Sequence, residues 1–145
     1  MNISKEGIDL IKHFEGCRLE AYEDAVGVPT IAYGRIKDVK MGDSCTQAQA
    51  EAWLDKELHE YEGYINDAVT VALTQNQFDS LVSWVYNLGP SNLKSSTMLK
   101  VLNKEQYADV PKQIQRWNKA GGKVLEGLTK RRNAEALLFE GKAWT

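Results

Sequence analysis

Few residues in this sequence could cross-link the chain or hold a metal ion. The 145 residues include two cysteines and two histidines. Cys17 and Cys45 are too few for a disulfide framework, and with two histidines they make a poor metal site. We interpret them as reduced, partly buried thiols, although later oxidation in an oxidising compartment stays open. We expect no metal ion and no cofactor.

Long hydrophobic runs are also missing. No apolar stretch approaches the length that spans a bilayer, and residues 1–16 alternate charge with hydrophobicity instead of forming a signal-peptide core. We therefore expect synthesis in the cytoplasm and no stable membrane insertion. With 43% hydrophobic and 26% charged residues, the composition is typical of one folded domain over residues 1–145, which we expect to be a monomer.

Charge is distributed unevenly along the chain. Residues 1–70 carry 14 acidic and 7 basic side chains, whereas residues 71–145 carry 6 acidic and 11 basic ones. Five basic residues gather in the last third of the chain: Lys119, Lys123, Lys130, Arg131 and Arg132. A basic face could steer the protein to an anionic surface. A solvated helix face, or attraction between the two halves, explains the pattern equally well.

The first third of the chain predicts one helix followed by a small antiparallel sheet. Ser4 is a suitable N-cap, the apolar residues after it have helical spacing, and Gly16 can end the helix in a left-handed conformation. Residues that favour β-strands then occupy 18–22 and 28–34, and a third short piece at 37–42 completes the predicted sheet.

The remaining chain predicts helices. Thr46 caps a long segment whose narrow apolar stripe is typical of a helix that bridges two lobes, and Thr74 opens a helix that is apolar nearly all round and therefore buried. We predict an α+β fold that is mostly α, with a cleft between two lobes. Its parts are a mixed lobe with the small sheet (1–45), a bridging helix (46–69) and an all-helical lobe (70–145).

Four carboxylates, Glu15, Glu20, Glu23 and Asp24, lie within ten positions. Glu15 stands at the predicted helix end, where the helix dipole and the neighbouring Phe14 both disfavour the charged form. That placement suits a general acid, although an exposed glutamate is the more common explanation. A loop aspartate such as Asp24 usually bonds its own turn, and we assign Glu20 and Glu23 to the surface.

The spacing of Glu15, Asp24 and Thr30, followed by "IAYG", resembles the catalytic signature of the phage-type lysozymes, the family of the T-even phage lysozyme. Residues 76–89, 95–103 and 116–139 resemble the C-terminal lobe of that family, in the same order. The resemblance covers nearly the whole chain and implies a lysozyme-like fold.

The resemblance implies a muramidase that hydrolyses the β-1,4 bond between N-acetylmuramic acid and N-acetylglucosamine in peptidoglycan. Glu15 would protonate the leaving oxygen, and Asp24 and Thr30 would hold and activate a water. An inverting reaction would follow, with the carboxyl groups roughly 6.5–9.5 Å apart. By motif position, Ile36, Tyr86 and Thr97 would line the sugar cleft.

The resemblance also implies an endolysin made in the host bacterial cytoplasm. Such a protein lyses the cell by acting on the wall from the periplasm, and we expect a holin to release it. Two positions depart from the family, which commonly has Gly in place of Ala32 and His in place of Arg35. The first departure costs backbone latitude beside the cleft, and the second removes a possible partner for a buried ion pair.

Other functions remain to be separated from hydrolysis. A lytic transglycosylase cleaves the same glycan with one glutamate and no water, and a wall-binding relative would not cleave it. "TQAQAEAWL" and "TQNQFDSLV" each resemble the start of a helix in a helix-turn-helix. Overall acidity and the absence of basic residues on the first helical turns count against DNA binding, and we expect no nucleic-acid partner.

Overall fold

A computed structural model describes residues 1–145, which fold mainly into helices. The order of the elements is α1 (Lys5–Glu15), β1 (Arg18–Glu23), β2 (Pro29–Ala32), α2 (Gln47–Ala68), α3 (Gln75–Leu88), α4 (Pro90–Ser95), α5 (Thr97–Asn103), a 3-10 helix (Tyr107–Asp109), α6 (Val110–Gln115), β3 (Lys119–Ala120), β4 (Lys123–Val124) and α7 (Glu126–Phe139). Seven helices and two small antiparallel sheets confirm the predicted α+β class, mostly α.

Helix α1 begins and ends where the sequence predicts, but Ser4 does not cap it through its side chain. The Ser4 amide donates to Asp79 Oδ1 at 2.9 Å, and its hydroxyl donates to Oδ2 of the same carboxylate. Asp79 is fully buried on α3, so the start of the chain is tied to the core instead. Gly16 ends the helix with φ +65°, as predicted.

The main sheet is a two-stranded hairpin, in which β1 pairs antiparallel with β2 and Tyr22 lies opposite Thr30. The predicted third strand at 37–42 is wrong, because those residues form turns. Asp43 explains the difference: its carboxylate accepts a hydrogen bond from the Lys40 amide at 2.9 Å, which closes a turn in place of a strand. Apart from the pairing of the named strands, isolated antiparallel bridges join Glu20 to Ser44 and Ile31 to Arg35.

Helix α2 connects the hairpin to the helical lobe. A capping box starts it, with the Thr46 hydroxyl accepting from the Gln49 amide and the Gln49 side chain accepting from the Thr46 amide. The helix packs against β2 at one end and against α3 and α4 beyond it. Its buried apolar residues form the narrow stripe expected of a bridging helix: Ala50, Leu54, Leu58 and Ile65.

Helix α3 is the centre of the core. A second capping box, made by Thr74 and Gln77, starts it, and every residue from 78 to 85 is buried. Helices α1, α2 and α7 all pack against it. Helix α1 therefore lies with the helical lobe, although its place in the chain grouped it with the sheet.

The helical lobe contains a hairpin that the sequence did not predict. Helix α6 ends at Gln115, and strands β3 and β4 then pair through Ala120 and Lys123 across the glycine pair at 121–122. None of the helices combines the length and apolar character needed to cross a membrane.

Candidate active site

A cleft of about 660 Å³ opens between the hairpin and the helices. Five of the six predicted site residues line it: Glu15, Asp24, Thr30, Ile36 and Tyr86. Thr97 does not line it, since it is exposed in the first turn of α5, and its contact with sugar stays a prediction that the cleft does not support. Trp53 and Tyr61 on α2 add aromatic surface that the sequence pattern did not predict.

Glu15 is the last residue of α1, and its side chain is 15% exposed. The backbone of Gly34 lies directly against its carboxyl group. A Cβ atom at position 34 would be 2.9 Å from Glu15 Cδ, and the φ angle of +76° is one that side chains rarely adopt. Gly34 therefore lets the loop after β2 close over the carboxyl group of Glu15.

Arg131 on α7 holds the carboxylate of Glu15 from the other side. Its Nη1 donates to Glu15 Oε2 at 2.6 Å, and its Nη2 donates to the carbonyl oxygen of Ser83 at 3.1 Å. Burial lowers the pKa of Arg131, but the charges of Glu15 and Glu135 outweigh it and the pKa is raised. The guanidinium therefore carries a full positive charge beside Glu15.

Arg131 and Arg132 were grouped with a basic surface, and for both residues this interpretation is wrong. They are 3% and 0% exposed, whereas Lys119, Lys123 and Lys130 are exposed. The spacing of Arg131 and Glu135, one helical turn apart, was the available signal for a pairing on α7.

Asp24 lies in the connection between β1 and β2, and its two oxygens have different surroundings. Oδ1 accepts hydrogen bonds from the amides of Val26 and Val28, both at 2.9 Å. The Asp24 amide in turn donates to the Val28 carbonyl at 3.0 Å, which closes the turn. No group of the chain donates to Oδ2. Asp24 thus forms its own turn with one oxygen and leaves the other available.

Thr30 stands on β2 and is 4% exposed. Its hydroxyl donates to the carbonyl oxygen of Val28 at 2.9 Å. Because the only hydroxyl proton is used in this bond, the lone pairs of Oγ1 are what remains for a further partner. Thr30 is therefore placed to accept, not to donate, a hydrogen bond at the cleft.

Tyr86 on α3 forms part of the cleft wall together with two charged residues. Its hydroxyl donates to the carbonyl oxygen of Tyr33 at 2.6 Å. Burial, with the charges of Glu15 and Glu57, raises the pKa of Tyr86 far above its usual value, so the phenol stays neutral. Burial also raises the pKa of Glu57, against the opposing effect of Arg35.

The two positions that depart from the family have clear structural settings. Arg35 does not remove an ion pair: its Nη1 lies 2.7 Å from Glu57 Oε1, and its guanidinium stacks on Trp53, 4.6 Å from the ring centroid. Ala32 is buried and has φ +56°. An alanine in this left-handed region carries about 1–2 kcal/mol of strain that a glycine at the same position would not carry.

No group of three or more His, Cys, Asp and Glu side chains is arranged to hold a metal ion. Cys17 and Cys45 are half-buried, as predicted, and no disulfide joins them in this structure. Burial raises the pKa of the Cys45 thiol, and the nearby Cys17 adds to the effect.

The sequence pattern of the phage lysozyme family matches residues 12–135. The endolysin of Acyrthosiphon pisum secondary endosymbiont phage 1 is 42% identical over 144 residues, which cover 97% of this chain and 99% of the relative. A protein of Bacteriophage PS119, named a SAR-endolysin, is 38% identical over 122 residues, 83% of this chain and 73% of its own length.

Among solved structures, the endolysin from Escherichia coli O157:H7 phage FAHEc1 superposes on this fold with a TM-score of 0.87. The two chains are 41% identical, and the match covers 96% of this chain and 93% of the other. The similarity in sequence and in structure therefore extends over both lobes and the cleft between them.

Proposed function

Because the chain belongs to the phage lysozyme family and is a lysozyme-type glycoside hydrolase, we propose that it cleaves one particular bond. That bond is the β-1,4 link between N-acetylmuramic acid and N-acetylglucosamine. The chain is a peptidoglycan-lysing endolysin. One observation carries the proposal: Glu15 and Asp24 line the same cleft from different elements, α1 and the β1–β2 turn, with Thr30 on the adjoining strand.

In the proposed mechanism Glu15 is the general acid. Its proton passes to the glycosidic oxygen as the bond from that oxygen to C1 breaks. A water attacks C1 from the opposite face and loses a proton to Asp24, so the configuration at C1 is inverted. Arg131 then stabilises the carboxylate that Glu15 becomes, since its Nη1 already lies 2.6 Å from Glu15 Oε2.

Asp24 and Thr30 are suited to orient that water. Asp24 Oδ1 is engaged by the amides of Val26 and Val28, which leaves Oδ2 to accept a proton. Thr30 donates to Val28, so toward water its oxygen can only accept. A water that donates one hydrogen to each residue keeps its lone pairs for the anomeric carbon. Ile36, 60% exposed in the cleft, and Tyr86 offer the sugar rings an apolar contact surface.

The proposal is tested by digesting purified peptidoglycan and identifying the new ends by mass spectrometry. Hydrolysis adds one water to each reducing end. Proton NMR of the fresh products gives the anomer, and an inverting enzyme releases the α form from the β-linked substrate. Retention of the β form would contradict the role assigned to Asp24.

The Glu15→Gln variant tests the acid directly. An amide of the same shape cannot supply the proton, and we expect activity on permeabilised Gram-negative cells to fall by about 10²–10⁴-fold. Glu20→Gln is the matched control, since Glu20 is an exposed residue on β1 and should retain full activity. Clearing by the Glu15→Gln variant at the normal rate would overturn the assignment.

A lytic transglycosylase is the second candidate, and it would leave 1,6-anhydro ends in the same digest. Asp24 favours hydrolysis, because two backbone amides fix one of its oxygens and the other is available for water. A wall-binding relative without activity would retain sedimentation with peptidoglycan and release no new ends.

We also propose that the protein is a monomer made in the host cytoplasm and released to the periplasmic side of the wall by a holin. The relative named a SAR-endolysin motivates the opposite outcome. Expression with and without a holin separates the two routes, since lysis on expression of the chain alone would contradict the need for a holin.

A further inference from the structure

Glu15 and Arg131 belong to a group of four charged side chains that continues into the core. Arg131 Nε donates to Glu135 Oε2 at 3.2 Å, and Arg132 Nη2 donates to the same oxygen at 3.2 Å. The hydroxyl of Ser83 also donates to this oxygen, at 2.6 Å. We call these four residues, Glu15, Arg131, Glu135 and Arg132, the charge network.

The charge network contains two positive and two negative groups and is almost fully withdrawn from water. Glu135 and Arg132 are 0% exposed, Arg131 is 4% exposed in its side chain, and only Glu15 reaches the cleft. Water screens interactions between buried charges only weakly. A change of one charge within the network therefore alters the electrostatic energy of the other three almost unscreened. Glu15 is therefore electrostatically coupled to two groups, Glu135 and Arg132, that do not line the cleft.

We propose that Glu135 and Arg132 are positioning residues that set the electrostatic hold of Arg131 on the general acid, an inference that rests on the proposed function of Glu15. The negative charge of Glu135 partly offsets the positive electrostatic potential that Arg131 exerts at Glu15. Arg132 offsets the negative charge that Glu135 adds. Together they leave Arg131 as a counter-ion that is strong enough to stabilise the product carboxylate and weak enough to let Glu15 hold its proton beforehand.

The other groups around Glu15 do not supply this balance. Tyr22 on β1, Tyr61 on α2 and Tyr86 on α3 face it, and desolvation by burial is the first cause that raises each pKa, that of Tyr61 to about 12. All three are therefore neutral when the enzyme works. Of the other carboxylates that line the cleft, Glu57 is paired with Arg35, Asp24 lies on the β1–β2 turn, and Glu60 lies on α2.

The test changes the charge of the network one unit at a time. E135Q leaves two arginines with Glu15, and R132Q leaves two carboxylates with Arg131. The excess positive charge in E135Q favours ionised Glu15, so the alkaline limb of the pH–activity profile should move to lower pH. We expect kcat/KM at pH 7 to fall about tenfold, with a smaller loss at pH 5. R132Q should move the limb to higher pH.

The double variant R132Q/E135Q restores neutrality, and we expect its profile to return to that of the parent protein. A purely structural role predicts instead that all three variants lose activity equally at every pH, and this outcome would overturn the proposal. E135D, which keeps the charge, should also keep the parent profile. If one single variant does not fold, the other single variant and the neutral double variant still have different expected profiles.

A second measurement separates this inference from the proposed function. Selective ¹³C labelling of glutamate allows the titration of the Glu15 carboxyl carbon to be followed by NMR without substrate. Opposite displacements of its midpoint in E135Q and R132Q would support the charge network, even if Glu15 proves not to be the general acid. Unchanged midpoints in both variants would overturn the inference while leaving the proposed hydrolysis intact.

Discussion

The two carboxylates of the cleft are held by different means. Glu15 lies against buried side-chain charges, and its partner Arg131 comes from the far end of the chain. Asp24 is held within its own turn by the amides of Val26 and Val28, with no charged partner. The placement of the proposed acid, Glu15, thus depends on the assembled core, whereas the placement of the proposed base, Asp24, depends on five consecutive residues, 24–28. A proton donor requires an environment that controls its charge, and a base requires a fixed direction and access to water.

The largest effect that we predict is a loss of activity on substitution of Asp24, a change that leaves the surroundings of Glu15 intact. Asp24→Asn keeps an oxygen that the two amides can bond but removes the base, so kcat should fall about 10³-fold while the fold is unchanged. Product release from peptidoglycan measures the activity, and circular dichroism checks the fold. Glu23→Gln, one position earlier and exposed, is the control. If the Asp24→Asn variant retained a near-normal kcat, the reaction would not need Asp24 as a base.

The next effect that we predict is a loss of protein stability on substitution of Arg131, the partner of Glu15. Arg131→Met leaves two carboxylates, Glu15 and Glu135, with Arg132 as the single remaining buried cation. Because one negative charge is then uncompensated, we expect a loss of about 3–5 kcal/mol in the free energy of unfolding. Urea denaturation measures it. Lys130→Met is the control, because Lys130 is exposed on the same helix and pairs only with Glu126 at the surface. Similar stabilities for the two variants would contradict the importance of the buried pairing.

Variants of Thr30 test whether its hydroxyl helps Asp24 to orient the attacking water. Thr30→Val keeps the shape of the side chain but removes the oxygen that would accept from water, so we expect kcat to fall by about tenfold or more. Thr30→Ser keeps the hydroxyl and should retain most of the activity. If the serine variant loses as much as the valine variant, packing of the methyl group and not the hydroxyl explains the role of Thr30.

Gly34 tests how closely the loop must approach Glu15. Gly34→Ala introduces a Cβ at a φ of +76° and against the Glu15 carboxyl group. We expect a loss of about 1–3 kcal/mol in the free energy of unfolding, together with reduced activity. Gly127→Ala, in the first turn of α7 with open space around it, should be neutral or stabilising. Equal behaviour of the two alanine variants would show that the loop adapts freely.

Local features of the fold were predictable from the sequence. The capping boxes at Thr46 and Thr74 and the end of α1 at Gly16 depend on residues a few positions apart, and each lies where the pattern predicts. The positions of Glu15, Asp24 and Thr30 in one cleft followed from the resemblance to a family.

Features that depend on distant packing were not predictable in this way. Arg131 meets Glu15 across 116 positions, and only the packing of α1 and α7 around α3 brings them together. The assignment of Arg131 and Arg132 to a surface failed because a cluster of basic letters does not reveal which helix face is buried. At 37–42, the Asp43 turn outweighed a weak strand preference.

The long separation between Glu15 and Arg131 also has a consequence during synthesis. The ribosome adds Glu15 early, but its counter-ion Arg131 is added 116 residues later. The Ser4 amide likewise gains its hydrogen-bond acceptor only when Asp79 has been added. A nascent chain that stops before α7 therefore has every residue of the predicted triad and lacks the group that holds its acid. The proposed active site is therefore completed only after α7 has been made.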